Sequence, residues 1–439
     1  MKRVGGETGS PAMPIAEAPF PSPFSAGLEY SVPARGGWTI VHVGMLMPQA
    51  HEIFVCAAGC LRGVVLSAAE MHCTDRFSTI AVEEHNIIDG DMEELLIEGV
   101  TDILHRLPEL PKVVLVYSSC IHHFMGNDLA MCYRILRERF PDVDFADCYM
   151  TPIMRKSGLT PDQLMRKQLY SLLKPAEKLP RHCAVIGNCF SMDAQSDMVR
   201  LITQAGWTLH QITECSTYAD YQQMAVCSLC ISTQSVAKVG GDALANRLGM
   251  QHLALPLSYG ADEIRRNLAN LADALDTKYD GGTQAQSDAE SALARAKQII
   301  GNAPVALDYT FTPRPLSLAR LLCSHGFHLT DLFADAFSAD EHEDFLWLQS
   351  NAPQLVIRPT VHAAMRKFLP DSTEKTLALG QKAAYFTDSP YFVNQIEGGS
   401  GYGFQGITAL AEAMCEAFSV PKDTAHLISM KGLGCESCI

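Results

Sequence analysis

The chain has 439 residues, more than one ordinary domain holds, so two or three domains are expected. Hydrophobic residues make up 47% and charged residues 19%, a globular composition that argues against extensive disorder. The formal net charge of −15 argues against a broad basic surface for nucleic acid.

Residues 1–37 are rich in Gly, Pro, Ala and Ser, which predicts an extended N-terminal arm. They contain no apolar signal segment, and no run of about 18 apolar residues follows them. We therefore expect a cytoplasmic protein without a membrane span.

From residue 38 onward, short apolar runs alternate with amphipathic stretches, which predicts an α/β fold with doubly wound parallel sheets. We divide this part of the chain into units at 38–180, 181–280 and 281–439. Thr160 and Pro161 have the residue types of a helix start in the first unit. The elements predicted for the first unit are strands over 39–43 and 113–117 and helices over 61–69, 92–106 and 127–140.

The other two units repeat the pattern. In the second unit, the predicted strands are 184–187, 208–212, 229–232 and 251–254, and the helices are 193–205, 218–225 and 240–248. In the third unit, we predict a loop over 281–287, strands over 304–309, 328–333 and 355–357, helices over 316–324 and 340–351, a glycine-rich loop over 397–406 and a helix over 407–418.

Fifteen cysteines are many for a chain without an export signal, and an odd number cannot all pair. Metal binding or redox chemistry is therefore favoured over a disulfide framework, although most of these cysteines are expected to be small buried hydrophobes. Cys56 and Cys60 lie four residues apart, a spacing that places both on one side of a helix or its lead-in turn. Thiolates suit iron–sulfur clusters, but zinc, a redox pair or plain packing also fit this spacing.

Cys120 follows the predicted buried strand 113–117 and precedes a helix, where open α/β sheets place functional groups. His122 and His123 come directly after it. The alternative is a buried thiol at a strand end with two satisfied polar neighbours. Cys73 is a reserve ligand for Cys56 or Cys60.

Two C-x-x-C pairs occur later in the chain. Cys230 falls inside a predicted strand, so packing is favoured over zinc or a redox pair for Cys227 and Cys230. Cys435 and Cys438 end the chain after glycines, where metal binding, cluster closure across a subunit, a redox relay and a solvent-exposed tail all stay open. No P-loop pattern occurs, so the chain itself is not expected to hydrolyse ATP.

Three stretches together resemble one family. They are 56–65, which carries two cysteines, 76–93, which leads to a glycine and an acidic helix start, and 118–129, which contains a cysteine followed by Gly-Asn-Asp. In this combination the chain resembles nitrogenase component 1-type oxidoreductases over about residues 38–420. That family includes nitrogenase subunits, cofactor-assembly scaffolds and subunits of the dark-operative protochlorophyllide reductase.

The resemblance implies three Rossmann-like domains around a central cleft, and a [4Fe–4S] or larger cluster shared with a homologous component 1-type subunit, identical or different. It implies an ATP-dependent iron–sulfur reductase as electron donor, and it allows a second metallocluster in the cleft. Arg62, His122 and His123 would surround the cluster. The implied ligands are Cys56, Cys60 and Cys120, with Cys73, Cys435 and Cys438 as further candidates.

The sequence departs from nitrogenase at the late glycine-rich loop, which has no preceding histidine to hold a catalytic cofactor. A dinitrogen-reducing site is therefore not expected. The leading hypothesis is a nitrogenase-like reductase subunit whose substrate and catalytic residues the sequence does not indicate. The alternatives are a non-catalytic scaffold for metallocluster assembly or transfer, and a structural α/β protein whose cysteines only pack.

Overall fold

The computed structural model describes residues 11–25, 27, 29–34, 37, 39–151, 158–370 and 374–424. Its strands form three sheets, two with four strands and one with six. Nearly every strand pairing is parallel, and helices connect the strands, so the predicted α/β fold class is confirmed.

The strands, in chain order, are β1 (Met13–Pro14), β2 (Ala50–Ala57), β3 (Phe77–Val82), β4 (Val113–Ser119), β5 (Asp144–Met150), β6 (His182–Ile186), β7 (Thr208–Gln211), β8 (Leu229–Ser232), β9 (Gln251–Ala254), β10 (Pro304–Asp308), β11 (His328–Phe333), β12 (Val356–Arg358), β13 (Leu377–Leu379) and β14 (Phe392–Val393). The helices are α1 (Ile40–Met45), α2 (Ala58–Glu70), α3 (Glu84–Asp89), α4 (Met92–Arg106), α5 (Cys120–Met125), α6 (Leu129–Arg139), α7 (Pro161–Leu169), α8 (Asp197–Gln204), α9 (Tyr218–Gln223), α10 (Lys238–Leu248), α11 (Ala261–Ala274), α12 (Thr283–Ile300), α13 (Pro315–Ser324), α14 (His342–Asn351), α15 (Gln381–Thr387) and α16 (Gly403–Ser419).

The first two sheets share one topology. Their strand orders are β3-β2-β4-β5 and β7-β6-β8-β9, and all their pairings are parallel. In each sheet the strand order reverses at the central pair, β2 beside β4 and β6 beside β8. Open α/β sheets form their binding crevices at the carboxyl ends of such a pair.

The third sheet has the order β1-β12-β11-β10-β13-β14, in which only β1 runs antiparallel. β1 belongs to the predicted N-terminal arm. Ile15, just after it, is fully buried, and its N–H donates to the Leu355 carbonyl at 2.8 Å. This described part of the arm therefore packs on the chain's own third sheet.

Hydrophobic clusters cross the predicted unit boundaries. Tyr117 from the first sheet shares a cluster with Ala184 and Cys227 from the second unit. Cys183 from the second sheet shares another cluster with Leu307 from the third. The division into domains therefore stays a prediction, because continuous apolar packing joins neighbouring units.

The predicted helix start at Thr160 is confirmed. The Thr160 hydroxyl accepts from the Gln163 N–H at 3.2 Å, and the Gln163 side chain accepts from the Thr160 N–H at 2.9 Å. This reciprocal cap satisfies two amides that a helix end otherwise leaves unpaired. Pro161 is the first residue of α7, as predicted.

Several predicted elements are wrong in type or in bounds, among them the helix predicted over 193–205, which begins at Asp197. Residues 39–43, predicted as a strand, begin α1, where the Thr39 N–H donates to His42 Nδ1 at 3.0 Å. The predicted loop over 281–287 holds the first five residues of α12, and α16 begins at Gly403 instead of residue 407. In α1 and at the start of α16, burial of a helix face prevailed over a local pattern of β-branched or small residues.

Candidate metal centre

The carboxyl ends of β2 and β4 bring the candidate ligands together. The two strands are parallel neighbours, and their register pairs Val55 with Ser118. Cys56 follows Val55 at the end of β2, and Cys120 lies two residues beyond Ser118, as the first residue of α5. Because neighbouring strands lie about 5 Å apart, the two cysteines occupy the same edge of the sheet.

Cys56, Cys60 and Cys120 lie within electrostatic range of one another. Burial, together with smaller contributions from negative charge on Cys60 and Cys120, raises the pKa of the Cys56 thiol to about 12. Cys56 is buried, Cys120 is half-buried and Cys60 is exposed at the start of α2. The structure thus groups the three predicted ligands, with one of them open to a partner.

The backbone around these thiols suits a bulky anionic group. α2 begins directly after β2 without a side-chain cap, so amides of its first turn remain available as donors. A methyl group added at Gly59 or Gly63 would contact nothing within 4 Å, so open space lies beside this segment. Among the described residues, no three His, Cys, Asp or Glu side chains already form a metal-binding arrangement.

His122 orders the turn that carries Cys120. Its ring accepts from the Ser119 N–H at 3.2 Å through Nδ1, which leaves the ring proton on Nε2. The side chain is buried, and burial lowers its pKa, so the ring is neutral. His123 and Arg62 are exposed near the same edge, and their predicted roles beside a cluster stay predictions.

Cys73 lies away from this group. It follows the 13-residue helix α2, which spans about 20 Å, and its thiol donates to the Met71 carbonyl at 3.1 Å. Nearby, Arg76 donates to the Ala50 carbonyl at the start of β2. Cys73 therefore lies toward the amino end of the strands. Cys435 and Cys438 lie outside the described residues.

The helices that follow strands of the first sheet expose several apolar side chains. Helices α2, α3 and α5 all begin after carboxyl ends of first-sheet strands, and they expose large hydrophobic side chains. Ile88 is 75% exposed, Phe124 70% and Met125 49%, and Val65 and Leu66 of α2 are also exposed. We call these five residues the apolar face; exposed large hydrophobic side chains are a feature of protein interfaces.

Cys227 and Cys230 are buried in a hydrophobic cluster, which agrees with the packing interpretation. The structure also shows a cysteine contact that the sequence analysis missed. Arg166 is buried, and its Nη2 donates to the Cys189 sulfur at 3.4 Å. Cys189 follows β6, so a search of strand ends could have found it.

A cavity of about 220 Å³ lies beyond the carboxyl ends of strands from the second and third sheets. Gln234 follows β8 and Tyr309 follows β10, and both line it. The described lining contains neither cysteine nor histidine. Sequence analysis missed this site, although Tyr309 ends a predicted strand and strand ends are where such sites occur.

A match over most of the sequence identifies the protein family. Residues 39–424 match the sequence pattern described as nitrogenase component 1 type oxidoreductase. The chain belongs to this family. No curated protein sequence matches the chain significantly. None of the described helices is both long and apolar enough to cross a membrane.

Two solved structures with the family's fold are similar to this chain. The structure titled "Nitrogenase Cp1 at pH 6.5" has a TM-score of 0.65 and 14% identity, covering 90% of this chain and 94% of its own. "Nitrogenase Cp1 at pH 5" has a TM-score of 0.52 and 13% identity, covering 91% of each chain. At such low identity, these similarities show the component 1 fold alone.

Proposed function

We infer that the chain is a subunit of a nitrogenase-like reductase in which Cys56, Cys60 and Cys120 bind an iron–sulfur cluster. The observation that carries this is their convergence at the carboxyl ends of β2 and β4, beside the uncapped start of α2. Thiolates are the usual ligands of such clusters, and helix N-termini favour anionic groups. A bound cluster would supply single low-potential electrons.

The partner would be a homologous component 1-type subunit, or a second copy of this chain, docked on the apolar face. A four-iron cluster usually takes four cysteines, and this edge provides three. Cys60 is exposed, and so are residues of the apolar face such as Phe124, so a subunit docked here could supply a further ligand. An ATP-dependent iron–sulfur reductase would deliver the electrons. The reduced thiols that this needs support a cytoplasmic location.

The cavity bears on whether a second metallocluster sits in the cleft. A second metallocluster needs soft ligands where it sits. The described lining of the cavity contains no cysteine and no histidine. We therefore favour direct binding of a small substrate in the cleft.

The test is anaerobic purification of the full chain, with its co-purifying partner, followed by iron and sulfide analysis and electron paramagnetic resonance. Cys56→Ala, Cys60→Ala and Cys120→Ala are each expected to lose most of the iron and sulfide. Cys73→Ala and Cys132→Ala are matched controls, since Cys73 lies toward the other edge and Cys132 is buried in a hydrophobic cluster. Both controls should keep the cluster.

Iron content unchanged in Cys120→Ala would contradict the ligand assignment, and colourless, iron-free wild-type protein would refute the reductase. Reductase and scaffold differ in electron transfer. The reductase predicts that an ATP-dependent iron–sulfur reductase changes the cluster's paramagnetic signal reversibly, without loss of iron. Release of the cluster to an acceptor protein, without reduction, would favour the scaffold.

A further inference from the structure

The cavity between the second and third sheets contains polar groups that lack partners. It is lined by Gln234 after β8, Tyr309 after β10 and Arg314 just before α13. These residues are distant from one another in the chain and converge because parallel strands end at one edge. Their hydrogen-bonding state shows what the cavity can hold.

Tyr309 has a hydroxyl hydrogen to donate. Lys382 Nζ lies 3.1 Å from the Tyr309 oxygen, and its ammonium has donors but no acceptor, so the tyrosine oxygen accepts. Lys382 is only 6% exposed, and its Nζ lies 4.8 Å from the centre of the Tyr309 ring. Among the described residues, no acceptor takes the Tyr309 O–H. The hydroxyl is therefore held in place with its hydrogen available.

Gln234 has an unpaired acceptor and Arg314 an unpaired donor. Gln234 is 6% exposed, and its Oε1 accepts no hydrogen bond in the described structure. Arg314 is 5% exposed, and its Nε donates to no described residue. Buried polar groups are nearly always paired, so one unpaired acceptor and two unused donors around one cavity indicate a bound molecule.

The size and charge of the cavity limit that molecule. A volume of about 220 Å³ has room for a small molecule of several non-hydrogen atoms. The charged residues at the rim already have partners. Asp162 accepts from Arg166 at 3.2 Å, and the Arg314 guanidinium lies 3.5 Å from Glu263. A neutral ligand therefore fits better than an ion.

A larger cavity, of about 710 Å³, opens between α11, α12 and α13. Two of its arginines, Arg314 and Arg320, face carboxylates, and Arg320 lies 3.1 Å from Asp344. Apart from Arg314, which both cavities share, none of its described lining residues has a buried side-chain atom without a partner. The smaller cavity is the better binding site.

We propose that the 220 Å³ cavity binds a small neutral molecule in which a carbonyl or oxide oxygen adjoins an N–H or O–H group, as in a lactam. The Tyr309 hydroxyl donates to the oxygen, and Gln234 Oε1 accepts from the N–H or O–H. The Arg314 Nε–H reaches the same oxygen. That this molecule is the substrate rests on the proposed reductase function; the binding itself does not.

Two small probes test the assignment on the purified full-length chain, by saturation-transfer nuclear magnetic resonance. 2-Pyrrolidinone carries both an acceptor and a donor, and cyclopentanone carries the acceptor alone. Tyr309→Phe is expected to lower the affinity for both probes about three- to tenfold, because one neutral hydrogen bond is lost. Gln234→Leu is expected to lower the affinity for 2-pyrrolidinone by a similar factor and to leave the affinity for cyclopentanone unchanged.

Tyr385→Phe is the matched control, because the Tyr385 hydroxyl bonds the Tyr30 hydroxyl at 3.0 Å and does not line the cavity. It should leave both affinities unchanged. Lys382→Met is a second variant, which removes the hydrogen bond that holds the Tyr309 hydroxyl in place. It is also expected to lower the affinity for both probes. Each variant is first checked for a wild-type thermal unfolding midpoint.

Failure of wild-type protein to bind either probe saturably would overturn the proposal. Equal loss of both probes in Gln234→Leu, or unchanged affinities in Tyr309→Phe, would do the same. No electrons or cluster are needed for this measurement. Iron-free protein that binds the probes as expected would refute the proposed reductase but support the proposed binding site. Iron-loaded protein that binds neither probe would refute the binding site but leave the reductase standing.

Discussion

Glu341 allows a test of how a buried carboxyl group near the start of α13 affects the stability of the folded chain. Its side chain is 1% exposed, and Oε1 accepts from the Leu316 N–H at 2.7 Å. The Ser317 N–H lies 3.4 Å from the same oxygen. Burial raises the pKa of Glu341 to about 8, although these hydrogen bonds and the nearby Arg314 guanidinium lower it.

The direction of the pH effect follows from that raised pKa. Between the usual pKa of 4.5 and a folded pKa of about 8, the folded chain keeps a proton that the unfolded chain has lost. The contribution to stability is complete below pH 4.5 and is lost as pH rises through 8. The slope is about 1.4 kcal/mol per pH unit, and about 5 kcal/mol is an upper limit for the whole window.

Glu341→Gln removes this titration and keeps an oxygen that can accept from Leu316. We expect thermal unfolding midpoints of the variant and the wild type to agree near pH 5, and the variant to be the more stable at pH 8. Glu343→Gln, on the exposed side of α14, is the control for loss of one negative charge. Midpoints of wild type and Glu341→Gln that change in parallel from pH 5 to pH 8.5 would refute the reasoning.

Three shorter predictions concern stability, each measured by thermal or urea unfolding. Burial lowers the pKa of His51 from 6.5 to about 4, so stability should fall as pH drops through that window, by up to about 1.4 kcal/mol per unit, and less in His51→Gln. Gly44→Ala should cost about 1–3 kcal/mol because the new methyl overlaps buried Glu52, whereas Gly59→Ala, which meets open space, should cost little. Leu332→Ala should cost about 2–5 kcal/mol, since Leu332 is fully buried in the largest hydrophobic cluster.

Periodicity predicted much of the fold. The strands β8, β9 and β11 begin and end where the apolar runs do. Strands β2, β3 and β5 were not predicted. One further error came where tertiary burial reversed a local preference. Val41 and Val43 are β-branched and favour a strand alone, yet both are fully buried in the short helix α1.

The two candidate sites differed in how far the sequence could reveal them. Cys120 was predictable because its strand and the helix after it are contiguous in sequence, and Cys56 and Cys60 are close neighbours. The cavity was not, since Tyr309 and Lys382 lie 73 residues apart and neither belongs to a metal-ligand pattern. Only the assembled sheets show that their side chains meet.

One helix connects these sites. In α7, Met165 accepts from the Tyr117 hydroxyl at 3.2 Å, and Tyr117 lies on β4, the strand that leads to Cys120. The next residue, Arg166, donates to the Cys189 sulfur at 3.4 Å, just beyond the end of β6. Asp162, at the start of the same helix, lines the 220 Å³ cavity. Through these contacts, α7 connects the edge of the first sheet that carries the candidate ligands with the cavity. If the three cysteines bind the proposed cluster, α7 would therefore hold an electron acceptor in that cavity at a set separation from them, as the proposed reductase requires.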